Sequence, residues 1–312
     1  MGIEKKQVKL TIGIPTYNGE QFLKEKITSI LNQNFTDFEL IISDNGSTDT
    51  TKEICNNFAI KDKRIRFFSH KKNLGAFWNF DFILKKACGK YFMWTAVDDK
   101  ILPGFYEKNI EILEKNSNVV CSASQVKYFG KNRNYWVERS TRGSFKRLTK
   151  KIIGRFQNLQ NYPASGTFES KFRYYLKLRG HHHIFFGIYR TEQLKKIWLL
   201  DVNFTVGVDL VTMLSILRFG DFHVIDEVMM YRYDGGVSSQ GFFNFKKSQK
   251  LNFIKTISYN YPFTRWCFSN FGYPLCLKNL DMFVIWDLEP LFFLTVSIIR
   301  KIIGGETKSA IN

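Results

Sequence analysis

Cysteine is scarce in this chain: five among 312 residues, at Cys55, Cys88, Cys121, Cys267 and Cys276. They are odd in number and widely spaced, with no Cys-x-x-Cys pair. That excludes zinc-site spacing and a disulfide framework, and fits a reducing compartment. Acidic residues are also short, 28 Asp and Glu against 46 Lys and Arg, which leaves a net charge of +18. So basic a chain implies an anionic partner: nucleic acid, a membrane surface or a phosphorylated substrate. Long apolar runs are missing as well. Met1–Lys9 is polar and lysine-rich with no apolar run behind it, which argues against a signal peptide. The most apolar stretch, Pro290–Ile299, is cut short by Asp287 and Glu289; spanning a bilayer takes ~20 such residues. Internal repeats and low-complexity segments are absent. What is present is a 44% hydrophobic content, enough for one large domain or two small ones with a real core.

In chain order, apolar residues at Val8, Leu10, Ile12 and Ile14 alternate as in a strand, stopped by Pro15-Thr16-Tyr17-Asn18-Gly19. Phe22, Leu23, Ile27, Ile30 and Leu31 then recur at helical spacing. Phe38–Ser43 reads as a second strand ending in Asp44-Asn45-Gly46-Ser47. Ser47 is the expected N-cap of a helix to about Phe58, with Asp49 complementing its dipole. Ile65–Ser69 reads as a third strand, and Asn73-Leu74-Gly75 opens a helix through about Cys88. Tyr91–Pro103 starts as a buried aromatic strand, breaks into Asp98 and Asp99, and reaches Pro103, where a helix could start; the helix is expected over Gly104–Lys115. Val119–Phe129 is the next strand. Strands alternating with helices of this length predict an α/β fold: βαβ units in a mainly parallel, Rossmann-like sheet flanked by helices.

Polar clusters follow three successive strands: Thr16–Asn18, Asp44–Ser47 and Asp98–Asp99. In a parallel sheet these loops share one edge, where such sheets bind ligands. Solvated turns are the competing reading, since Asp is common in turns. Convergence of three such loops favours a nucleotide-type site. Hard oxygen ligands there suit Mg²⁺ or Mn²⁺, which usually comes with phosphates.

Ile14-Pro15-Thr16-Tyr17-Asn18-Gly19, Ser43-Asp44-Asn45-Gly46-Ser47-Thr48-Asp49, Asn73-Leu74-Gly75, Gly89-Lys90-Tyr91-Phe92 and Asp98-Asp99 occur in an order and spacing that resembles the inverting glycosyltransferases of family 2. The resemblance covers residues 8–128 and implies the GT-A fold and a nucleotide-diphosphate-sugar donor, a UDP-sugar by preference. It implies that Pro15, Thr16, Tyr17, Asn18, Asp44, Asn73, Gly75, Asp98, Asp99 and Arg232 bind that donor. Thr16 and Tyr17 would line the nucleoside pocket, Asp44 would contact base or ribose, and Asp98 would hold the metal. The family's metal motif is often Asp-x-Asp-Asp; here Ala96 takes the first slot. Phe186-Gly187-Ile188-Tyr189-Arg190-Thr191 resembles the family's next strand–turn–helix. Thr205–Phe219 reads as a helix whose one acidic residue, Asp209, falls where the family carries its catalytic base. Val228–Ser239 resembles the family's Tyr-Arg-x-His-x-x-x-Ser ending, with Asp234 in the His slot as a second candidate metal ligand.

From Gly130 to Gly180 thirteen Lys and Arg face two acidic residues, interleaved with aromatics. That pattern suits nucleic acid, a membrane interface or a cleft for a polyprenyl-diphosphate-linked glycan acceptor; an ordinary exposed insertion is the bland alternative. With a donor site present, the anionic lipid or membrane is favoured over nucleic acid. Of His181-His182-His183, two at most could converge if the segment is a strand, which disfavours a metal cluster. The expected organisation is a nucleotide-sugar-binding half over 1–129, an acceptor and catalytic half over 130–240 with its basic insertion, and a helical tail over 241–312. The tail suits a helix lying in a membrane interface, anchored by Trp286, or a core or oligomer-packing helix. The expected enzyme is cytoplasmic and peripheral on the inner face of the cell membrane, serving polysaccharide or glycoconjugate synthesis. Its rivals are a nucleic-acid-binding protein and a non-catalytic membrane-associated protein. The sequence leaves sugar, acceptor, linkage and oligomeric state open.

Overall fold

The computed structural model describes residues 8–130, 163–177, 183–198, 208–233 and 260–288. Contacts divide the chain into two compact units, Met1–Val202 with Val208–Ser239, and Asn203–Gly207 with Gln240–Asn312.

The first unit holds β1 (Leu10–Thr16), α1 (Glu20–Leu31), β2 (Phe38–Asp44), α2 (Thr51–Lys61), β3 (Ile65–Ser69), α3 (Ala76–Lys86), β4 (Tyr91–Trp94), β5 (Lys100–Ile101), α4 (Phe105–Lys115) and β6 (Val119–Phe129). It continues with α5 (Phe168–Lys177), a 3₁₀ turn (His183–Phe186), β7 (Ile188–Arg190), α6 (Thr191–Ile197), α7 (Val208–Ile216) and β8 (Asp221–Tyr233). One sheet runs β3-β2-β1-β4-β7-β6-β8-β5. β3, β2, β1 and β4 are mutually parallel, as is β6 with β8, while β7 and β5 pair antiparallel with their neighbours.

Every residue of β2 is buried. Helices cover both faces of a central parallel strand, so its sequence is a nearly continuous apolar run rather than an alternation. Its buried Glu39 is satisfied by Thr11 Oγ1 (2.6 Å), Arg66 Nη1 (2.6 Å) and the Cys88 amide (2.7 Å). The core joins Leu10, Ile12 and Ile14 of β1, Leu23 and Ile27 of α1, and Phe105 of α4.

Two local expectations are corrected. Ser47 does not cap α2, which begins four residues later; its hydroxyl accepts from the Asn18 amide instead (2.8 Å). The helix expected over Gly104–Lys115 is α4, Phe105–Lys115, with the left-handed Gly104 (φ 82°) just before it. His183 opens a 3₁₀ turn rather than lying in a strand, and His181 and His182 fall outside the described residues.

In the second unit, α8 (Tyr261–Phe271) and α9 (Tyr273–Leu277) are followed by helix at 280–288. Phe263 meets Trp286 (5.4 Å between ring centroids), and Asn260 Nδ2 donates to the Trp286 carbonyl (2.6 Å). Trp286 is only 8% exposed, so it is a packing residue here, not an interfacial anchor. The apolar side chains left exposed are others, among them Leu277, Leu280, Val284 and Leu288. No described helix is long and apolar enough to cross a membrane.

Candidate active site

β1 and β2 run in parallel register, Thr16 opposite Asp44, so their carboxyl ends open side by side. The chain leaving β1 turns through Asn18, the one described non-glycine residue with positive φ (51°). Hydrogen bonds lace this turn to the one after β2. Thr48 N–H donates to Asn18 Oδ1 (2.9 Å), Gly19 N–H to Thr51 Oγ1 (2.8 Å) and Ser47 N–H to Asp44 Oδ1 (3.0 Å). Burial would raise the Asp49 carboxyl, but hydrogen bonds from Thr51 and Glu20 outweigh it and hold the group below its usual range. Thr16 and Asp44 are buried, Pro15 is half-buried, and Tyr17 and Asn18 are exposed.

Asn45 carries the lacing to a third loop. Its Oδ1 accepts from Leu74 N–H (3.0 Å), and its Nδ2 donates to Asn73 Oδ1 and the Gly75 carbonyl (3.0 Å each). Asn79 on α3 donates to the carbonyls of Ser43 (2.9 Å) and Thr16 (3.4 Å). Gly46 is required where it stands. Its φ is +75°, and a Cβ would sit 2.6 Å from the Lys72 carbonyl carbon. Pro15–Asn18, Asp44, Asn73 and Gly75 are thereby gathered on one rim, with Asn73 and Gly75 exposed.

β4 ends on the same rim, prolonged by Thr95 N–H donating to the Gly13 carbonyl (2.9 Å). The two carboxylates beyond it differ. Asp99 is 3% exposed; its Oδ2 lies 3.4 Å from Arg232 Nε and its carbonyl accepts from Lys26 Nζ (2.8 Å). The Arg232 guanidinium lies over the Phe186 ring, 4.4 Å from its centroid. Asp98 is half-buried. Burial first, then the neighbouring Asp99 charge, raise its carboxyl, opposed by Arg232 and Lys26. Burial lowers the Lys26 ammonium to about 8, against the pull of Asp99 and Asp98.

Among the described residues no three side chains of metal-ligating type converge, and Asp234 lies outside those residues. With Asp99 paired to Arg232, the half-buried Asp98 is the carboxylate of the two left to serve as an oxygen donor. Mg²⁺ and Mn²⁺ sites commonly use one or two carboxylates, completed by substrate phosphates and water, so the residues present fit a cation arriving with a diphosphate.

Asp209 stands in the first turn of α7, half-buried, its Oδ1 accepting from Leu210 N–H (2.9 Å). Burial, and secondarily charges that include Asp209, push the fully buried Tyr175 and Tyr189 hydroxyls well up. The rim unites Pro15–Asn18, Asp44, Asn73 and Gly75, while Asp209 stands on α7, which packs against α6 and the same 3₁₀ turn whose Phe186 ring lies under the Arg232 guanidinium.

Three residues of the rim were not singled out from the sequence: Lys26, Asn45 and Asn79. Lys26 had a signal, since it falls on the buried stripe of Leu23, Ile27 and Ile30. Asn79 sits likewise on the buried face of α3.

Comparison with known proteins agrees with this geometry. A family model described as glycosyl transferase family 2 matches residues 11–191. An uncharacterized glycosyltransferase of Haemophilus influenzae is 36% identical over 115 residues, 37% of this chain and 36% of that protein. The GalNAc(5)-diNAcBac-PP-undecaprenol beta-1,3-glucosyltransferase of Campylobacter jejuni is 36% identical over 97 residues, 31% of each chain. The matched stretches span from 17% to 44% of the curated relatives' own length. Among solved structures, TarS of S. aureus in complex with UDP-GlcNAc aligns over 75% of this chain and 61% of its own at 22% identity, TM-score 0.53. The mannosyltransferase PcManGT of Pyrobaculum calidifontis, in complex with GDP-Man and Mn²⁺, covers 97% of this chain and 77% of its own at 14% identity, TM-score 0.56. At such identities the likeness speaks for the fold, which is that of the GT-A transferases. The family match covers more than half of the residues, and this chain belongs to glycosyl transferase family 2.

Proposed function

We propose that the protein transfers a sugar, with inversion, from a nucleotide-diphosphate donor, a UDP-sugar, to a glycan or polyprenyl-diphosphate-linked glycan at the cell surface's biosynthetic face. The observation that carries this reading is the rim itself. A buried carboxylate, Asp44, stands opposite Thr16 in the sheet, next in chain to the exposed Tyr17, and the half-buried Asp98 stands on the loop after the neighbouring β4. Thr16, Tyr17 and Asn18 with Asp44 take the nucleoside, and Asn73 and Gly75 border it. TarS with UDP-GlcNAc and PcManGT with GDP-Man support a nucleotide-sugar donor. The acceptor named for the Campylobacter jejuni relative supports a lipid diphosphate.

A Mg²⁺ or Mn²⁺ ion held by Asp98, with Asp234 as second ligand, would neutralise the leaving nucleoside diphosphate when bound. Asp209 takes the proton of the acceptor hydroxyl. That oxygen bonds to the anomeric carbon from the face opposite the diphosphate as the bond to the diphosphate breaks, so no covalent enzyme intermediate forms. Asp99 and Arg232 act as a pair that fixes the loop. The basic segment 130–180 and the tail beyond 288 bring the enzyme to an anionic membrane surface, as a peripheral protein on the cytoplasmic face.

Titration calorimetry with UDP and Mn²⁺ tests the reading: Asp98→Ala abolishes the metal-dependent part of binding. Unchanged affinity in that variant overturns it.

A further inference from the structure

α1 buries a charged side chain in a place built for an apolar one. Lys26 is 3% exposed between Leu23, Ile27 and Ile30, which are 1% exposed or less, while Lys24 and Glu25 face solvent. Taking an ammonium out of water is unfavourable, a cost that an apolar residue of similar volume at this position would not carry. Stability alone therefore does not explain a lysine here. What it reaches does. Its single hydrogen bond among the described residues is to the carbonyl of Asp99 (2.8 Å), on the loop that follows β4.

The same region grips the strand that follows this loop twice more: Gln33, two residues past α1, donates from Nε2 to the Ile101 carbonyl (3.3 Å), and Glu25 of α1 pairs with Lys100 (2.9 Å). From the far side β8 supplies Arg232 against the Asp99 carboxylate. Asp99 is thus held by its backbone from α1 and by its side chain from β8. Its neighbour Asp98 has a carboxylate that, among the described residues, takes a hydrogen bond from its own backbone and forms no ion pair.

We propose that Lys26 is a positioning residue for Asp98: by fixing the Asp99 carbonyl it aims the Asp98 carboxylate at the donor's diphosphate and keeps Asp99 turned away from it. The hydrogen bond, not the proton's affinity, does this. The proposal rests on the donor-site reading of the rim and deepens it, since Lys26 itself touches neither donor nor cation.

The test compares the full chain with Lys26→Met, which keeps the volume and removes the donor, and Lys26→Arg, which keeps a donor. Three measurements are made: thermal midpoint, amide exchange over residues 97–102 by mass spectrometry, and calorimetric affinity for UDP with Mn²⁺. Lys26→Met leaves the Asp99 carbonyl without its donor and is expected to lower the thermal midpoint, to speed exchange of the loop, and to weaken UDP–Mn²⁺ about tenfold, the loss appropriate to one charge-assisted hydrogen bond. Lys26→Arg restores most of both. A lower midpoint with unchanged affinity marks a merely structural lysine and overturns the proposal, as does unchanged loop exchange. If the unaltered protein binds no nucleotide while Lys26→Met still loosens the loop, the donor-site reading fails and the hold on the loop stands.

Discussion

Asn45→Asp is the sharpest single perturbation of the rim, because it changes chemistry without changing shape. The orientation of the Asn45 amide is fixed by its partners. Leu74 N–H can only donate and the Gly75 carbonyl can only accept, so Oδ1 faces the first and Nδ2 the second. An aspartate keeps the bond from Leu74 and loses both donated ones. It also sets an oxygen 3.0 Å from Asn73 Oδ1 and 3.0 Å from the Gly75 carbonyl, at a residue 2% exposed. Two lost hydrogen bonds plus an ill-solvated charge amount to about 2–4 kcal/mol, a large share of a domain's ~5–15 kcal/mol. The new carboxyl's folded pKa is raised above its unfolded value. Its best stability therefore lies below the ordinary aspartate pKa of about 3.9, and is lost as pH rises through the raised one. Urea unfolding at neutral and mildly acidic pH reads the global effect, and exchange of the Leu74 amide reads the local one. The variant should be weakened at neutral pH and partly recover on acidification. A neutral-pH loss below about 0.5 kcal/mol, the range of an indifferent surface change, would refute the hub role.

Other outcomes are equally definite. Gly46→Ala forces a side chain against the Lys72 backbone at φ +75° and should lower stability by about 2 kcal/mol or more, seen in the same unfolding assay. Asp209→Asn should leave calorimetric nucleotide affinity within about twofold, while turnover falls at least a hundredfold, the reach of general-base catalysis; near-normal transfer would rule Asp209 out. The full chain should sediment with anionic vesicles at low salt and release as salt rises. Val284→Asp with Leu288→Asp, both on the exposed apolar side of the second unit, should weaken that binding.

The alternation of strands and helices from β1 to β6 was legible because each element carries its own period, and Ile65–Ser69 and Val119–Phe129 match the structure end to end. The rim was legible for the same reason: parallel strands send their polar ends to one edge. What escaped was whatever depends on partners distant in sequence. Ser47 looked like a cap until Asn18, twenty-nine residues earlier, claimed its hydroxyl. Asp98 and Asp99 are indistinguishable as letters, and only Lys26 and Arg232 tell them apart. Lys26 was readable as a charge on an apolar stripe, but its target lies 73 residues away. The antiparallel β7 and β5 likewise depend on pairings no local pattern announces. Asp234, the basic segment 131–162 and the apolar stretch 290–299 fall outside the described residues.

Asn45 is followed by Gly46, and that dipeptide has a chemical vulnerability. In a loose chain the amide nitrogen of the glycine attacks the preceding carboxamide, ammonia leaves, and the succinimide opens to aspartate or isoaspartate. Here the carboxamide is pinned toward the third loop and the glycine is locked in a left-handed turn. The folded protein is shielded from the reaction, and molecules that linger unfolded are not. Deamidation at this position should accumulate in slowly refolded material and be absent from native stock, where peptide mapping would find it. Each such lesion replaces the carboxamide that laces the rim with a carboxylate, so a molecule's history of misfolding is written into its covalent structure.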